Sequence, residues 1–279
     1  MGDQNFNYRT RGKYAVVSED INSERYDRWL AFSIGQLKEL LTNYGKIDVL
    51  WFDGFYWPGK EKEPHTDALY NWIRTLQPGI VVNDRWYKVR NPDTEEEAVA
   101  KGDFATVEWK EPEGEMGRWW EFCTSWCQSW GYSKLRFGAD EALRQLVLAR
   151  SLGGNFLLNI GPSGEGVPPD GFYPNMTELS GWIGPNREAL FGKNVKPVKD
   201  ISSNVMLTQN NGVLYLHVLP GDKKAQVTLG STKVVKKMNV LASGKKVRFS
   251  KKKGEYVISK KKNRLSAEDY TVIEVHFKE

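Results

Sequence analysis

The chain has 279 residues, a formal net charge of +5 and 40% hydrophobic residues, enough for one large domain or a medium domain and a small one. No run of about 18 or more apolar residues is present, so no membrane-spanning helix is expected. Two cysteines, Cys123 and Cys127, and three histidines exclude a disulfide framework and a zinc site of ordinary spacing; the cysteines read as free thiols, four residues apart and on one face if that stretch is helical.

Residues 1–22 are polar at the start, without period, and do not read as a signal peptide. From Glu24 to Tyr44 apolar side chains recur at helical spacing (Tyr26, Trp29, Leu30, Leu37, Leu40, Leu41), with Asn22 or Ser23 as cap and Gly45 beyond the end. The apolar run from Ile47 to Phe52 predicts a strand ending at Asp53-Gly54. A helix follows over Thr66–Leu76, stopped by Pro78-Gly79, and then a strand over Ile80–Asn83. Further elements are a strand over Phe104–Val107, a helix over Ala139–Ser151, a strand over Phe156–Ile160 and a helix over Asn175–Leu190. Continuous apolar strands alternating with helices predict a parallel, doubly covered α/β sheet, either a (β/α)8-like barrel or a doubly wound fold.

Near Val195 the pattern changes. Short alternating segments at 205–207, 212–218, 225–229, 238–241, 247–249, 256–259 and 271–277 are separated by turn signals such as Asn210-Asn211-Gly212 and Pro220-Gly221-Asp222. They predict an all-β sandwich over 195–279, appended to an α/β domain over 1–194. Its lysine clusters, including Lys251–Lys253 and Lys260–Lys262, read first as solvated faces and turns. Without interleaved aromatics they do not read as a nucleic-acid surface.

In an α/β barrel the chemistry sits where strands end. Asp53 follows the apolar run directly, Asn83-Asp84-Arg85-Trp86 follows another, and Asp103 and Glu108 bracket a third. An Asp-Gly after a strand is often only a turn, but several such ends carrying acids and Arg among tryptophans point to a site. Aromatic residues make up 13% of the chain, and an aromatic face suits the apolar face of a sugar ring. Two carboxylates with aromatic walls suit retaining glycoside hydrolysis, in which one group attacks the anomeric carbon and the other donates and then accepts a proton. Asp53 fits the attacking role, with Gly54 leaving space for a ligand. Glu108, next to Trp109, fits the proton donor, and Arg85 offers fixed donors for hydroxyls. This route needs no metal and no cofactor.

The blocks Leu-Leu-Thr-Asn-Tyr-Gly (40–45), Leu-Trp-Phe-Asp-Gly (50–54), Val-Asn-Asp-Arg-Trp (82–86), Gly-Asp-Phe-Ala-Thr-Val-Glu (102–108), Trp-Glu-Phe-Cys (120–123), Ser-Trp-Gly-Tyr (129–132) and Leu-Leu-Asn-Ile-Gly-Pro (157–162), in this order, resemble glycoside hydrolase family 29, the α-L-fucosidases. The resemblance implies an α/β fold, a partial (β/α)8-like barrel followed by a small antiparallel β-sandwich. It also implies a retaining exo-hydrolase that removes terminal α-L-fucose from glycans or glycoconjugates through a covalent glycosyl-enzyme. Asp53 then corresponds to the nucleophile, and Trp51, Arg85, Trp130 and Tyr132 to sugar-contacting positions. The acid/base varies in position across the family; Glu108 is the first choice, Glu121 the second and Asp103 the third.

Only about 45 residues precede the Asp53 strand, where the family has three strands and a His-His-Asp-Gly segment; His65, His217 and His276 are not adjacent. The expectation is therefore a hydrolase impaired by absent strands or, alternatively, a non-catalytic carbohydrate-binding or structural remnant. Expected partners are a fucosylated glycan or glycoside, with neither nucleic acid nor membrane and with oligomer formation left open. The compartment is undetermined, the family being usually secreted, periplasmic or lysosomal.

Overall fold

The structure is a computed structural model that describes residues 24–53, 66–85, 102–113, 117–192 and 194–278. The expected helix cap at Asn22 or Ser23, and Gly54, His65 and Trp86, lie outside these residues. The chain divides into two compact units, 1–106 and 107–279. The change of pattern near residue 195 therefore falls within the second.

The first unit holds α1 (Glu24–Asn43), β1 (Val49–Leu50), α2 (Thr66–Leu76) and β2 (Val81–Val82). β1 and β2 are parallel, with Val49 opposite Val81 and Leu50 opposite Val82. Leu41, Ile73, Ile80 and Val82 form the buried centre, and Ile47, Leu50, Phe52 and Leu69 pack around them. Along α1 Leu41 is buried, Leu37 half-buried and Leu40 exposed, and Tyr44 just past its end is exposed as well, so the helical stripe is covered over less of its width than its sequence predicts. The expected strand over Ile47–Phe52 is shorter as a ladder because its end is bonded differently. The Asn83 side chain accepts from the Phe52 N–H and donates to the Phe52 carbonyl, both at 2.8 Å. One amide thus takes the place of a neighbouring backbone.

The second unit begins within β3 (Ala105–Glu108) and continues with β4 (Trp120–Ser125), α3 (Ala139–Ser151), β5 (Asn155–Asn159), α4 (Phe172–Ile183) and α5 (Arg187–Leu190). The sheet order is β3-β4-β5. β4 and β5 are parallel, running from Glu121 opposite Asn155 to Ser125 opposite Asn159.

β4 was not among the expected strands. Its only less buried residue is Glu121, so it shows neither alternation nor a purely aliphatic run. The cysteines are free thiols, as expected, and the stretch that holds them is not helical: Cys123 lies in this strand and Cys127 in a bridge with Leu135, both buried. The expected last helix begins three residues earlier, after Gly171 at φ +83°, and is interrupted at Gly184–Asn186 by a 3-10 turn containing Pro185, which cannot donate a helical hydrogen bond.

Two antiparallel four-stranded sheets follow. One has the order β10-β13-β8-β7 and the other β11-β12-β9-β6. Their strands are β6 (Ser202–Ser203), β7 (Met206–Asn210), β8 (Val213–Val218), β9 (Gln226–Gly230), β10 (Val235–Val240), β11 (Ser250–Lys252), β12 (Glu255–Ser259) and β13 (Thr271–Phe277). The sandwich core gathers Leu214, Leu216 and Val218 with Val227, Leu229, Ile258 and Val275. Alternate residues of the first sheet face elsewhere: Tyr215 and Val272 pack with Leu143, Leu146 and Val147 of α3. That sheet is covered on both faces, which explains why β8 is buried along nearly its whole length and why contacts do not separate the sandwich from α3.

Two expectations change here. The expected strand at 247–249 is instead an approach to β11, with Val247 N–H bonded to the Met238 carbonyl at 2.9 Å. A four-residue helix, α6 (Lys260–Asn263), stands where none was expected, capped by the Ser259 side chain.

His217 lies in this doubly covered sheet. Thr208 Oγ1 is 2.8 Å from its Nε2 and donates to the Ala189 carbonyl, while the Tyr270 hydroxyl contacts Nδ1 at 2.5 Å. The threonine proton being committed, Nε2 carries hydrogen and Nδ1 accepts. Burial pushes the imidazole pKa down from 6.5 to about 3. The unfolded chain therefore binds the extra proton between these values, and stability is lost as pH falls through that window. The slope approaches about 1.4 kcal/mol per pH unit. Urea midpoints should fall on going from pH 6.5 to pH 5, and NMR at pH 5 should show a neutral His217 in the folded chain; a charged His217 there would contradict this.

Candidate active site

The first unit brings three of the expected residues together. Asp53 leaves the end of the Phe52 backbone held by Asn83, and its side chain is 68% exposed. Its Oδ1 is 3.1 Å from Arg85 Nη2, and the Arg85 side chain is only 11% exposed. The Arg85 guanidinium carbon also lies 5.1 Å from the centroid of the Trp51 ring. A largely buried cation, stacked on an indole, thus orients an accessible carboxylate.

Gly102 is required behind this arrangement. A Cβ there would come within 2.6 Å of the Asn83 carbonyl group, so the backbone that carries Asn83 and Arg85 can lie against it only if residue 102 has no side chain. Asp103, the third choice for a proton donor, is committed elsewhere. Its carboxylate accepts from Tyr70 Oη at 2.6 Å and the Val82 N–H at 2.8 Å, and pairs with Arg74. It ties α2 to β2.

The second unit gathers another group. Glu108 ends β3, and Trp109 follows at φ +63° with the Lys110 N–H bonded to the Glu108 carbonyl at 2.7 Å. This is a positive-φ γ-turn, an uncommon and strained conformation. It is held by the Trp109 N–H bond to the Cys123 carbonyl at 3.0 Å and by the ring: Trp109 meets Trp130 edge-on at 4.7 Å, and the Arg136 guanidinium carbon lies 4.9 Å from its centroid. Trp130 is 38% and Tyr132 62% exposed, so aromatic surface remains open beside the turn.

The loop carrying Trp130 and Tyr132 is anchored at the carboxyl ends of β4 and β5. Ser125 Oγ donates to the Ser129 carbonyl at 2.7 Å, and Asn159 Nδ2 donates to the Trp130 carbonyl at 3.0 Å and to Ser125 Oγ at 3.1 Å. Gly161 lies against the same loop, where a Cβ would meet the Gly131 carbonyl at 2.2 Å. Glu121 belongs to the other end of the sheet, since it pairs with Asn155 at the start of both strands. Four residues of extended chain, about 13 Å, separate it from Ser125.

Ser125, Asn159 and Arg136 were not singled out from the sequence, and Asn83 entered only as part of the strand-end block Asn83-Asp84-Arg85-Trp86. The available signal was a polar residue closing a buried strand, as in Val-Val-Asn, Cys-Thr-Ser and Leu-Leu-Asn. Among the described residues, no group of three or more His, Cys, Asp or Glu side chains could hold a metal ion.

The model of the alpha-L-fucosidase family matches residues 4–188. An alpha-L-fucosidase of Dictyostelium discoideum is 28% identical over 199 residues, 67% of this chain and 41% of that protein. The tissue alpha-L-fucosidase of Homo sapiens is 30% identical over 171 residues, covering 58% and 35%. The chain thus spans less than half the length of either relative.

Among solved structures, alpha-L-fucosidase isoenzyme 1 from Paenibacillus thiaminolyticus superposes with a TM-score of 0.74 at 29% identity, covering 91% of this chain and 63% of that one. A Bacteroides thetaiotaomicron alpha-L-fucosidase, trapped as a covalent intermediate with 2-fluoro-fucosyl fluoride, gives 0.75 at 20% identity over 91% of this chain and 62% of that one. The shared fold is α/β, part of a (β/α)8-like barrel followed by a small antiparallel β-sandwich.

Proposed function

This chain belongs to the alpha-L-fucosidase family, and from that premise we propose that it hydrolyses terminal α-L-fucosides with retention of configuration. The observation that carries the reading is the exposed Asp53 carboxylate held by the largely buried Arg85. A nucleophile must be reachable and fixed in direction, and this pair supplies both.

In this reading Asp53 attacks the anomeric carbon as the C1–O bond to the leaving group breaks, giving a fucosyl ester. Glu108 gives its proton to the departing oxygen. It then takes a proton from the water that attacks C1 and releases the ester. Trp51 and Arg85 contact the sugar in the first unit, and Trp130 and Tyr132 offer aromatic faces suited to the C6 methyl of fucose. Glu121 is the second choice for the proton donor and is less favoured, because it starts its strand. The covalent intermediate trapped in the Bacteroides relative supports the retaining route.

The substrate class is a fucosylated glycan or glycoside. The test is the anomer first released from an aryl α-L-fucoside. Proton NMR taken before mutarotation should show α-L-fucose. First-formed β-L-fucose would reject the double displacement, and absence of turnover with fucose still bound would favour a non-catalytic carbohydrate-binding role.

A further inference from the structure

The sandwich carries a one-sided concentration of charge. Residues 231–254 contain eight lysines and Arg248 and no Asp or Glu. All nine cations are exposed, and among the described residues none forms an ion pair.

The fold brings them to one border. β10 is the outer strand of one sheet and β11 of the other. The chain between them bonds first to β10, with Asn239 opposite Lys246, and then enters β11, so it closes the sandwich along that side. Val247 and Phe249 turn into the core, while Lys246, Arg248 and Lys251 stay in solvent. At the β11–β12 turn, Lys253 itself adopts φ +48° ahead of Gly254 at φ +90°, a position at which Asn or Gly is favoured. The nearest acid along the chain is Glu255, opposite Lys252.

Lysines do guard edge strands against pairing. Guarding requires a few charges, however, and interspersed signs would serve as well without the mutual repulsion that nine like charges impose. A partner that neutralises them removes that repulsion. At its Lys233 end the border also reaches a groove of about 830 Å³ lined by Asn211, Thr232, Lys233, His276 and Phe277, with Lys233 Nζ 5.8 Å from the Phe277 ring centroid. A ring face beside amide and hydroxyl groups suits a sugar.

We infer that this border binds an anionic, sulfated polysaccharide, with sulfate groups along the lysine row and a sugar unit in the groove. The choice of polysaccharide rests on the glycosidase reading proposed above; binding itself does not depend on turnover and is measured separately.

The test titrates the full chain with a sulfated fucan, the same fucan after desulfation, and duplex DNA of similar length. Sulfated fucan should bind more tightly than either of the others, and its affinity should fall about tenfold or more between roughly 0.05 and 0.2 M salt. A chain combining Lys246→Gln, Lys251→Gln, Lys252→Gln and Lys253→Gln should lose about tenfold in affinity with a shallower salt slope, at unchanged thermal midpoint. Equal binding of the desulfated polymer, or of DNA, would overturn the inference. So would a folded quadruple variant that binds as well as the parent. Loss of fucoside hydrolysis with sulfated-fucan binding intact would instead count against the glycosidase reading alone.

Discussion

Asp53→Gly is expected to lower turnover of an aryl α-L-fucoside by roughly 10⁴-fold or more, the scale on which a covalent catalyst fails when one of its members is removed. The loss should appear in kcat, because the carboxylate acts on the anomeric carbon and contributes little to ground-state binding. Removing the side chain leaves a space that a small anion can enter, beside the Arg85 guanidinium that had faced it at 3.1 Å. Added azide should therefore restore turnover in part. The nitrogen attacks C1 as the aryloxide leaves, and the product is β-L-fucosyl azide, inverted because the catalyst's own first inversion is gone. Since the Asp53 side chain is 68% exposed, the variant should fold with a thermal midpoint near that of the parent. A folded variant with parental turnover would remove the carboxylate from the mechanism. One rescued to α-fucosyl azide would place the attacking group elsewhere.

The fold and the site differ in how far the sequence disclosed them. α2 and α3 were legible to the residue, because each has an amphipathic stripe and a breaker, Pro78-Gly79 after one and Gly153-Gly154 after the other. β4 was not, since burial on both faces with Thr124 and Ser125 inside it erases alternation and aliphatic continuity together. The break in the last helix has its signal in Gly184-Pro185, set inside periodicity that reads as one continuous helix.

At the site, Asp53 and Arg85 could be proposed from their places at strand ends. The side chains that aim them could not, because Asn83, Ser125 and Asn159 act through hydrogen bonds to backbone distant in sequence. A strand-end amide has the same one-letter signature whether it caps a turn or clamps a neighbouring loop. The left-handed Trp109 was equally hidden: tertiary contacts hold a bulky residue in a conformation its own propensity opposes.

The same turn gives the clearest means of separating the two glutamates. Glu108→Gln keeps shape and removes the titrating proton. On a fucoside whose leaving group would depart as a strong base, such as a fucosyl disaccharide, kcat/KM should drop by about 10² to 10⁴. On an aryl fucoside with a strongly acidic phenol the first step needs no proton, so the loss in kcat/KM there should be small. Glu121→Gln is expected to show no such dependence on the leaving group, because Glu121 lies at the start of β4, away from the strand ends that carry the Trp130 loop. Its losses should follow stability and apply equally to both substrates. The Glu108 backbone is committed to the Trp109 turn, so circular dichroism and the thermal midpoint must match the parent before kinetics are compared. With that satisfied, leaving-group dependence in Glu121→Gln and none in Glu108→Gln would exchange the two assignments. The physical reason is that proton donation matters only in proportion to the charge that develops on the departing oxygen.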